Sequence, residues 1–210
     1  MPTMPDLKCD WATHEAAKYA CEHWHYSKCI PVGKLFKIGA WEDGVYIGCV
    51  IFSRGANKYL ASPYGLGQEE CVELTRIALR AHKHFVSEIM MQALKKLHEF
   101  MPGIRLIVSY ADPQQGHVGA IYQATNWIYV GHTTPDRYCV LNGEKIHRRT
   151  IGSKCRGRGM SYSQYFLSVH KDGQILKDEG KHKYLMPLDK KMRKLILPLA
   201  KPYPKKEDGG

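Results

Sequence analysis

The chain has 210 residues, 44% of them hydrophobic, and carries a formal net charge of +11 at pH 7. This length suits one domain, or one domain with an extension, and the apolar content is sufficient for a buried core. No apolar run reaches the roughly 18–20 residues that a membrane-spanning helix needs, and the N-terminus lacks the charged-then-apolar pattern of a signal peptide. We therefore expect an intracellular protein without a membrane partner.

The positive charge is concentrated in the last third of the chain. Residues 1–140 hold 14 Lys and Arg against 13 Asp and Glu, whereas residues 141–210 hold 17 against 7. Such a region suits a polyanion such as nucleic acid, with Arg148 and Arg149 as candidate contacts. A merely solubilising tail is the alternative, but apolar residues interleave with the charges in "YLMPLDKKMRKLILPLAKPYP", which favours an ordered surface. We divide the chain into a core domain, 1–150, and a basic extension packed on it, 151–210.

The seven cysteines are scattered and form no CxxC pair. This pattern favours reduced thiols and argues against a structural zinc site.

The first predicted elements are a helix and a hairpin. Thr13 is a plausible N-cap for a helix that continues to about His25. Asp43-Gly44, between two β-rich runs, predicts a hairpin turn. A Gly- and Pro-rich loop follows, and "CVELTRIALR" predicts a strand.

The second half of the core domain alternates helices and strands. The apolar residues from Val86 to Leu97 recur at the three-to-four spacing of a helix, which Pro102-Gly103 ends. "IRLIVSYAD" predicts a buried strand, "QQGHVGAIYQATN" a short helix, and "WIYVGHT" and "RYCVLNGEKIHRR" further strands. Strand–helix–strand units imply an α/β (α+β) fold, a mixed and partly parallel twisted sheet with helices on both faces.

Polar residues gather where predicted strands end, which is where ligands bind in open α/β sheets. The sites follow three strands: Ser109, Tyr110, Asp112, Gln115 and His117; then Arg80 with Ser87; then Arg54 with Asn57. The backbone N–H groups near Ser87 could take an anionic donor. Each site also has an ordinary structural interpretation: Asp112 could cap a helix, His117 could lie on a surface, and Arg54 and Asn57 could form only a turn.

"HWHYS" places His25 and Tyr26 at a predicted helix end. With Asp112 they would provide the N and O ligands that suit iron. The alternative is an aromatic helix end packed on the core.

Several segments in order resemble the Mom family of phage DNA-modification proteins. The most specific is "PGIRLIVSYADPQQGHVGAIYQATNWIYVG"; the others are "HYSKCIPVGKLFKIGAWEDG", "VIFSRGAN", "YGLGQEECVELTRIALRAH", "VSEIMMQALKKL" and "KIHRRT". The resemblance covers about His25 to Thr150 and implies a fold like the N-acetyltransferase (GNAT) superfamily. It also implies conversion of adenine in DNA to N6-carbamoylmethyladenine, an anti-restriction activity of bacteriophages, exerted in the cytoplasm of the bacterial host.

The resemblance carries functional roles to particular residues: His25, Tyr26, Arg76, Ser87, Asp112 and Tyr122, with iron associated with activity. Asp112 would orient adenine N6, remove its proton or bind the metal, and Arg76 would steady the donor or a developing negative charge. The chain departs from GNAT enzymes in one respect. "RAHKHFVSEI" replaces the usual glycine-rich pyrophosphate loop before the helix at Val86, which argues against ordinary use of acetyl-CoA.

The donor can be constrained by composition. A glycyl group has the same atoms as carbamoylmethyl, whereas an acetyl group lacks the nitrogen, so glycyl-tRNA is a candidate donor beside acetyl-CoA. The partners are then double-stranded DNA with a flipped adenine, and tRNA. Two alternatives stay open, a non-catalytic nucleic-acid-binding module and a conventional acetyl-CoA-dependent N-acetyltransferase. The sequence leaves the oligomeric state open, a homodimer included.

Overall fold

The computed structural model describes residues 4–54, 59–146, 151, 155 and 159–205. The helices are α1 (His14–Trp24), α2 (Val86–Phe100), α3 (Ala120–Ala124), α4 (Tyr162–Val169) and α5 (Lys190–Ile196). The strands are β1 (Leu7–Trp11), β2 (Leu35–Glu42), β3 (Val45–Ser53), β4 (Cys71–Leu79), β5 (Leu106–Ala111), β6 (Ile128–His132), β7 (Arg137–Leu141), β8 (Glu144–Ile146), β9 (Gln174–Lys177) and β10 (His182–Pro187). None of the helices in these ranges combines the length and the apolar character needed to cross a membrane.

Two compact units divide the chain. The first comprises Met1–Ala111, Val118–Gly131 and His182–Gly210, and the second comprises Asp112–His117 and His132–Lys181. The boundary near residue 150 stays a prediction. In the first unit, β10 lies between β5 and β6 as the sixth of seven strands.

The first unit is built on a seven-stranded sheet with the order β1-β2-β3-β4-β5-β10-β6. β4 and β5 are parallel, whereas the pairs β1–β2, β2–β3, β3–β4 and β5–β10 are antiparallel. Asp43 and Gly44 both have positive φ and form the predicted turn between β2 and β3.

Helices cover both faces of this sheet. Alternate residues of β3 point to opposite faces, so Ile51 packs with Ala17 and Ala20 of α1, while Phe52 packs with residues of α2. The apolar side of α5 packs on Leu185 and neighbouring strand residues through Met192 and Ile196. The predicted mixed, partly parallel α/β sheet with helices on both faces is therefore confirmed.

Local signals account for the helix boundaries. The Thr13 side chain accepts a hydrogen bond from the Ala16 N–H at 3.1 Å, as an N-cap does. The helix predicted after β5 is shorter than expected, because Gly116 and Gly119 adopt left-handed conformations. A 3₁₀ turn, Pro113–Gln115, precedes them, and α3 begins only at Ala120.

The second unit contains a three-stranded antiparallel sheet with the order β8-β7-β9. A turn at Asn142-Gly143, both with positive φ, joins β7 and β8. Phe166 of α4 is buried with Cys139 of β7 and Ile151, which gives this unit a small core of its own.

Candidate active site at the end of the β4–β5 ladder

The hydrogen-bonded ladder between β4 and β5 ends early. It pairs Cys71–Leu74 with Leu106–Ser109, although β4 continues to Leu79. One residue later the register between β3 and β4 shifts, leaving Thr75 as an extra residue. An extra residue bends a strand, so β4 leaves β5 beyond Leu74. We call the place marked by Leu74 and Ser109 the ladder end.

Two buried hydroxyl groups meet at the ladder end. Ser109 Oγ lies 2.8 Å from the Leu74 carbonyl oxygen and 2.7 Å from the Tyr122 hydroxyl oxygen. A serine hydroxyl has one proton, and the carbonyl can only accept. Ser109 therefore donates to Leu74 and accepts the proton of Tyr122. The predicted site residues Ser109 and Tyr122 are thus brought together, although they are 13 positions apart in the chain.

The surroundings of Tyr122 keep it protonated. Its ring is packed against Trp127 and Tyr184, with centroids 4.9 and 5.0 Å away. Burial raises the pKa of Tyr122 to about 12, against the opposing effect of its hydrogen bond with Ser109. Electrostatic interaction with Tyr26 acts in the same direction as burial. Tyr122 can therefore donate a proton at neutral pH but cannot serve as a base.

Arg76 lies on β4 two residues beyond Leu74. Its Nη1 donates to the Thr75 carbonyl at 2.7 Å, while its Nε is buried without a hydrogen-bond partner among the described residues. Arg76 pairs with Ile51, whose side chain packs beneath α1. The guanidinium therefore belongs to the α1 face of the sheet, whereas Ser109 belongs to the α2 face.

The predicted donor-binding residues Arg80 and Ser87 flank the segment between β4 and α2. Arg80 follows β4 directly, is exposed, and donates its backbone N–H to Ile47 at 2.9 Å. Ser87 is the second residue of α2 and is half-buried.

Asp112 and His117 fall in the second unit, not with Ser109 and Tyr122. The Asp112 carboxylate caps the 3₁₀ turn through the Gln114 N–H at 3.1 Å and pairs with Lys181 at 3.2 Å. The capping interpretation of Asp112 is confirmed. Each carboxylate oxygen has a second lone pair, so these bonds leave acceptor capacity. His117 is exposed, and its N–H donates to the Asp112 carbonyl at 3.2 Å.

His25 follows α1, buried, with its ring 4.2 Å from that of the half-exposed Tyr26. The Ser27 N–H donates to His25 Nδ1 at 3.1 Å, and Ser27 Oγ lies 2.8 Å from the same nitrogen. Because this hydroxyl can accept a proton from Nδ1 as well as donate one, the contacts fit either ring tautomer. With the proton on Nδ1, Nε2 carries the lone pair that a metal needs.

Within the described ranges, no three His, Cys, Asp or Glu side chains are grouped so that they could hold a metal ion. Iron ligation by His25, Tyr26 and Asp112, a set that includes a tyrosine, stays a prediction.

The predicted nucleic-acid contacts have varied surroundings. Arg54 Nη1 donates to the Gln68 carbonyl at 2.9 Å. Tyr110 is half-buried beside an apolar cluster, and burial raises its pKa to about 12. Asn57, Arg148 and Arg149 lie outside the described residues.

A basic face lies on the first unit around α5. Four exposed cations occupy this helix: Lys190, Lys191, Arg193 and Lys194. Lys191 and Lys194 line a cavity of about 500 Å³ together with Tyr64 and Arg105. Arg105 is neutralised there by Asp189, at 2.8 Å, so the two lysines supply the uncompensated charge. We refer to the four helix cations and this cavity as the α5 face.

Two features of the site were not identified from the sequence: Glu73, and the close packing of Gly119 before α3. Glu73, an acid inside β4, is close enough to contribute to the raised pKa of both Tyr110 and Tyr122. An acid within a buried strand is the signal that could have identified it. Gly119 allows the start of α3 to pack closely against Tyr184, because a Cβ at this position would lie 2.4 Å from the Tyr184 ring.

Comparison with known proteins identifies the family. The family model described as the Mom protein family matches residues 6–205. The chain belongs to the Mom family. It is 30% identical over 190 residues to the methylcarbamoylase mom of Escherichia phage Mu, covering 86% of this chain and 76% of that protein. The family predicted from residues 25–150 is confirmed, and the match reaches beyond both ends of that range.

The chain is also similar to two solved structures. A putative acetyltransferase from Acinetobacter baylyi ADP1 has a TM-score of 0.48 and 12% identity, covering 90% of this Mom-family chain and 96% of its own. An acyl-CoA N-acyltransferase from Pseudomonas aeruginosa has a TM-score of 0.40 and 15% identity, covering 67% and 94%.

Proposed function

We propose that this Mom-family protein is a transferase that converts adenine N6 in phage DNA to N6-carbamoylmethyladenine and so protects the DNA from restriction. The observation that carries the proposal is the buried pair of hydroxyl groups, Ser109 and Tyr122, at the ladder end. The name of the phage Mu relative supports methylcarbamoylation as the reaction class.

The exocyclic nitrogen of adenine is a poor nucleophile, because its lone pair is delocalised into the ring. Catalysis therefore has to orient N6, accept its proton and assist the leaving group. Tyr122, which holds its proton at neutral pH, is the proton donor in our proposal. Before the donor binds, this proton is hydrogen-bonded to Ser109 Oγ, and in our proposal the hydroxyl turns from Ser109 to the leaving oxygen of the donor.

Asp112 is the proposed acceptor of the N6 proton. Its carboxylate retains acceptor capacity beside the contacts from Gln114 and Lys181. Arg76 is the proposed partner of the donor's carbonyl oxygen, because its buried Nε is without a hydrogen-bond partner within the described residues and can bond to a ligand. No step is assigned to iron in this proposal.

The donor in this proposal is an aminoacyl ester, glycyl-tRNA. N6 attacks the ester carbonyl, the N6–carbonyl bond forms, the ester C–O bond breaks, and the ribose oxygen takes a proton. The resulting N6-glycyl group is an isomer of carbamoylmethyl. Rearrangement breaks the N6–carbonyl and Cα–amino bonds and forms N6–Cα and carbonyl–amino bonds. No oxidant or additional nitrogen source is required.

The α5 face is the proposed contact for nucleic-acid phosphates. Its exposed lysines carry no ion pair within the described residues, so each can release a condensed counterion on binding a phosphate. Flipping an adenine costs a few kcal/mol, which such contacts offset.

The test is an assay of the purified full-length protein with duplex DNA and glycyl-tRNA labelled in the glycyl group. Label in carbamoylmethyladenine after digestion to nucleosides is the expected result. In a parallel assay, acetyl-CoA labelled in the acetyl group replaces glycyl-tRNA. Label in the modified adenine of that assay would identify a different donor. DNA binding without any modified adenine would favour the non-catalytic alternative.

A further inference from the structure

Backbone N–H groups of the segment between β4 and α2 bind the carboxylate of a glutamate from another strand. Glu42, the last residue of β2, accepts the Lys83 N–H at 2.8 and 3.1 Å through its two oxygens. It accepts the His84 N–H at 2.8 Å and lies 3.0 Å from His84 Nδ1. The Glu42 and His84 side chains are only 11% and 13% exposed, so this contact is largely shielded from water.

The next backbone amide is also occupied. The Phe85 N–H, at the start of α2, donates to the Glu88 carboxylate at 3.2 Å. Three consecutive N–H groups, from Lys83 to Phe85, therefore all donate to carboxylates of the same chain. Successive backbone N–H groups ahead of a helix are a common means of binding phosphate oxygens.

The Glu42 carboxylate is ionised at neutral pH. Burial acts to raise the pKa of Glu42, but the hydrogen bonds from the backbone and ring of His84 and from the Lys83 N–H hold it below its ordinary value. Glu42 already occupies the N–H donors that a phosphate would need. Its negative charge would also repel a phosphate at close range.

We infer that Glu42 determines donor specificity: its carboxylate fills the amide site ahead of α2 and excludes donors that would place a diphosphate there. The inference rests on the proposed function and deepens it, because it selects between the two donors that the composition of the product left open. A coenzyme A thioester carries a diphosphate, whereas an aminoacyl ester of a polynucleotide has none near its reactive carbonyl. Glu42 thus favours the aminoacyl ester, and the phosphates of the polynucleotide bind elsewhere.

A purely structural role for Glu42 predicts a different outcome. If Glu42 only anchors the segment before α2, its removal lowers stability and leaves anion binding unchanged. The two roles are separated by measuring anion binding directly.

The experiment titrates the full-length protein with coenzyme A and with inorganic pyrophosphate, and follows the amide signals of Lys83 and His84 by NMR. The wild type is expected to show no saturable shift of these amides. Glu42→Ala is expected to bind both probes at least about tenfold more tightly, because the like charge is removed and the amides are released. Asp10→Ala is the matched control, since it removes an acid from the neighbouring strand β1 without releasing these amides.

Two results would overturn the inference: saturable shifts of the Lys83 and His84 amides in the wild type, or a Glu42→Ala variant that is folded and gains no affinity. If Glu42→Ala does not fold, the wild-type titration still decides. Adenine modification is measured on the same wild-type preparation. Modification with acetyl-CoA as the sole donor would contradict the inference about Glu42 but not the proposed function. Absence of modified adenine with either donor would contradict the proposed function, while the anion titrations would still test the inference about Glu42.

Discussion

Two tyrosine hydroxyls are buried in the same core cluster of the first unit, but their surroundings differ. Tyr129 of β6 is 3.1 Å from Nδ1 of the buried His182, and its carbonyl accepts the Lys201 N–H at 2.8 Å. Tyr122 bonds to Ser109 where the β4–β5 ladder stops. The Tyr129 network lies between paired strands and under the C-terminal segment, whereas the Tyr122 network lies where strand pairing is broken. We therefore expect the buried hydroxyl of Tyr129 to serve stability and that of Tyr122 to serve the proposed chemistry.

Tyr122→Phe gives the largest effect that we expect. Loss of the proton donor should reduce the rate of adenine modification by about 10²–10⁴-fold, the usual range for a general acid. The free energy of unfolding should fall by only about 1 kcal/mol, since one hydrogen bond is lost and Ser109 keeps Leu74 as its acceptor. Rates are measured by nucleoside mass spectrometry and stability by urea unfolding. A folded variant with wild-type rates would remove Tyr122 from the mechanism.

Gly119→Ala tests how the position of Tyr122 is maintained. Gly119 has a φ of +80° and leaves no room for a Cβ beside Tyr184. Left-handed strain and overpacking together should lower the free energy of unfolding by roughly 2–4 kcal/mol. Gly103→Ala is the control, because no atom lies within 4 Å of its ideal Cβ. Equal effects of the two substitutions on thermal unfolding would contradict the packing argument.

Tyr129→Phe tests the same comparison at the second buried tyrosine. It removes a buried hydroxyl from the same cluster, so stability should fall by about 1 kcal/mol, as for Tyr122→Phe. Modification rates should stay within about twofold of the wild type, since no role in the chemistry is assigned to this hydroxyl. A loss of activity as large as that of Tyr122→Phe would mean that the two networks do not differ in function.

The smallest expected effect concerns the α5 face. Changing Lys191 and Lys194 together to Gln should weaken DNA binding several-fold and lower the slope of log affinity against log salt by roughly 2. Lys18→Gln together with Lys37→Gln is the control, a loss of equal charge outside the α5 face. An unchanged salt slope in the Lys191 and Lys194 variant would exclude this face from phosphate binding.

Local sequence rules predicted the elements whose signals are local. The Thr13 cap, the Asp43-Gly44 turn and the apolar spacing of α2 each act within one turn of backbone, and all three are confirmed. Strands β1 and β10 escaped prediction. β1 is a five-residue edge strand of mixed polarity, and β10 lies between β5 and β6, with its β5 partners more than 70 residues earlier in the chain.

The candidate site was predictable as a set of residues but not as a geometry. Ser109 and Tyr122 were both identified, yet their contact depends on the left-handed turns at Gly116 and Gly119 that shorten the intervening helix. Glu42 was identified only as part of a hairpin. Its contacts with Lys83 and His84 span 41 and 42 residues, and no local pattern indicates them.

The most direct test of the central claim compares DNA from cells that express the wild type, Tyr122→Phe or Tyr129→Phe at equal soluble levels. Nucleosides from each DNA are analysed by mass spectrometry. We predict carbamoylmethyladenine with the wild type and with Tyr129→Phe, and its loss to background with Tyr122→Phe. Modified adenine at similar levels with both variants, or its absence with the wild type, would contradict the account.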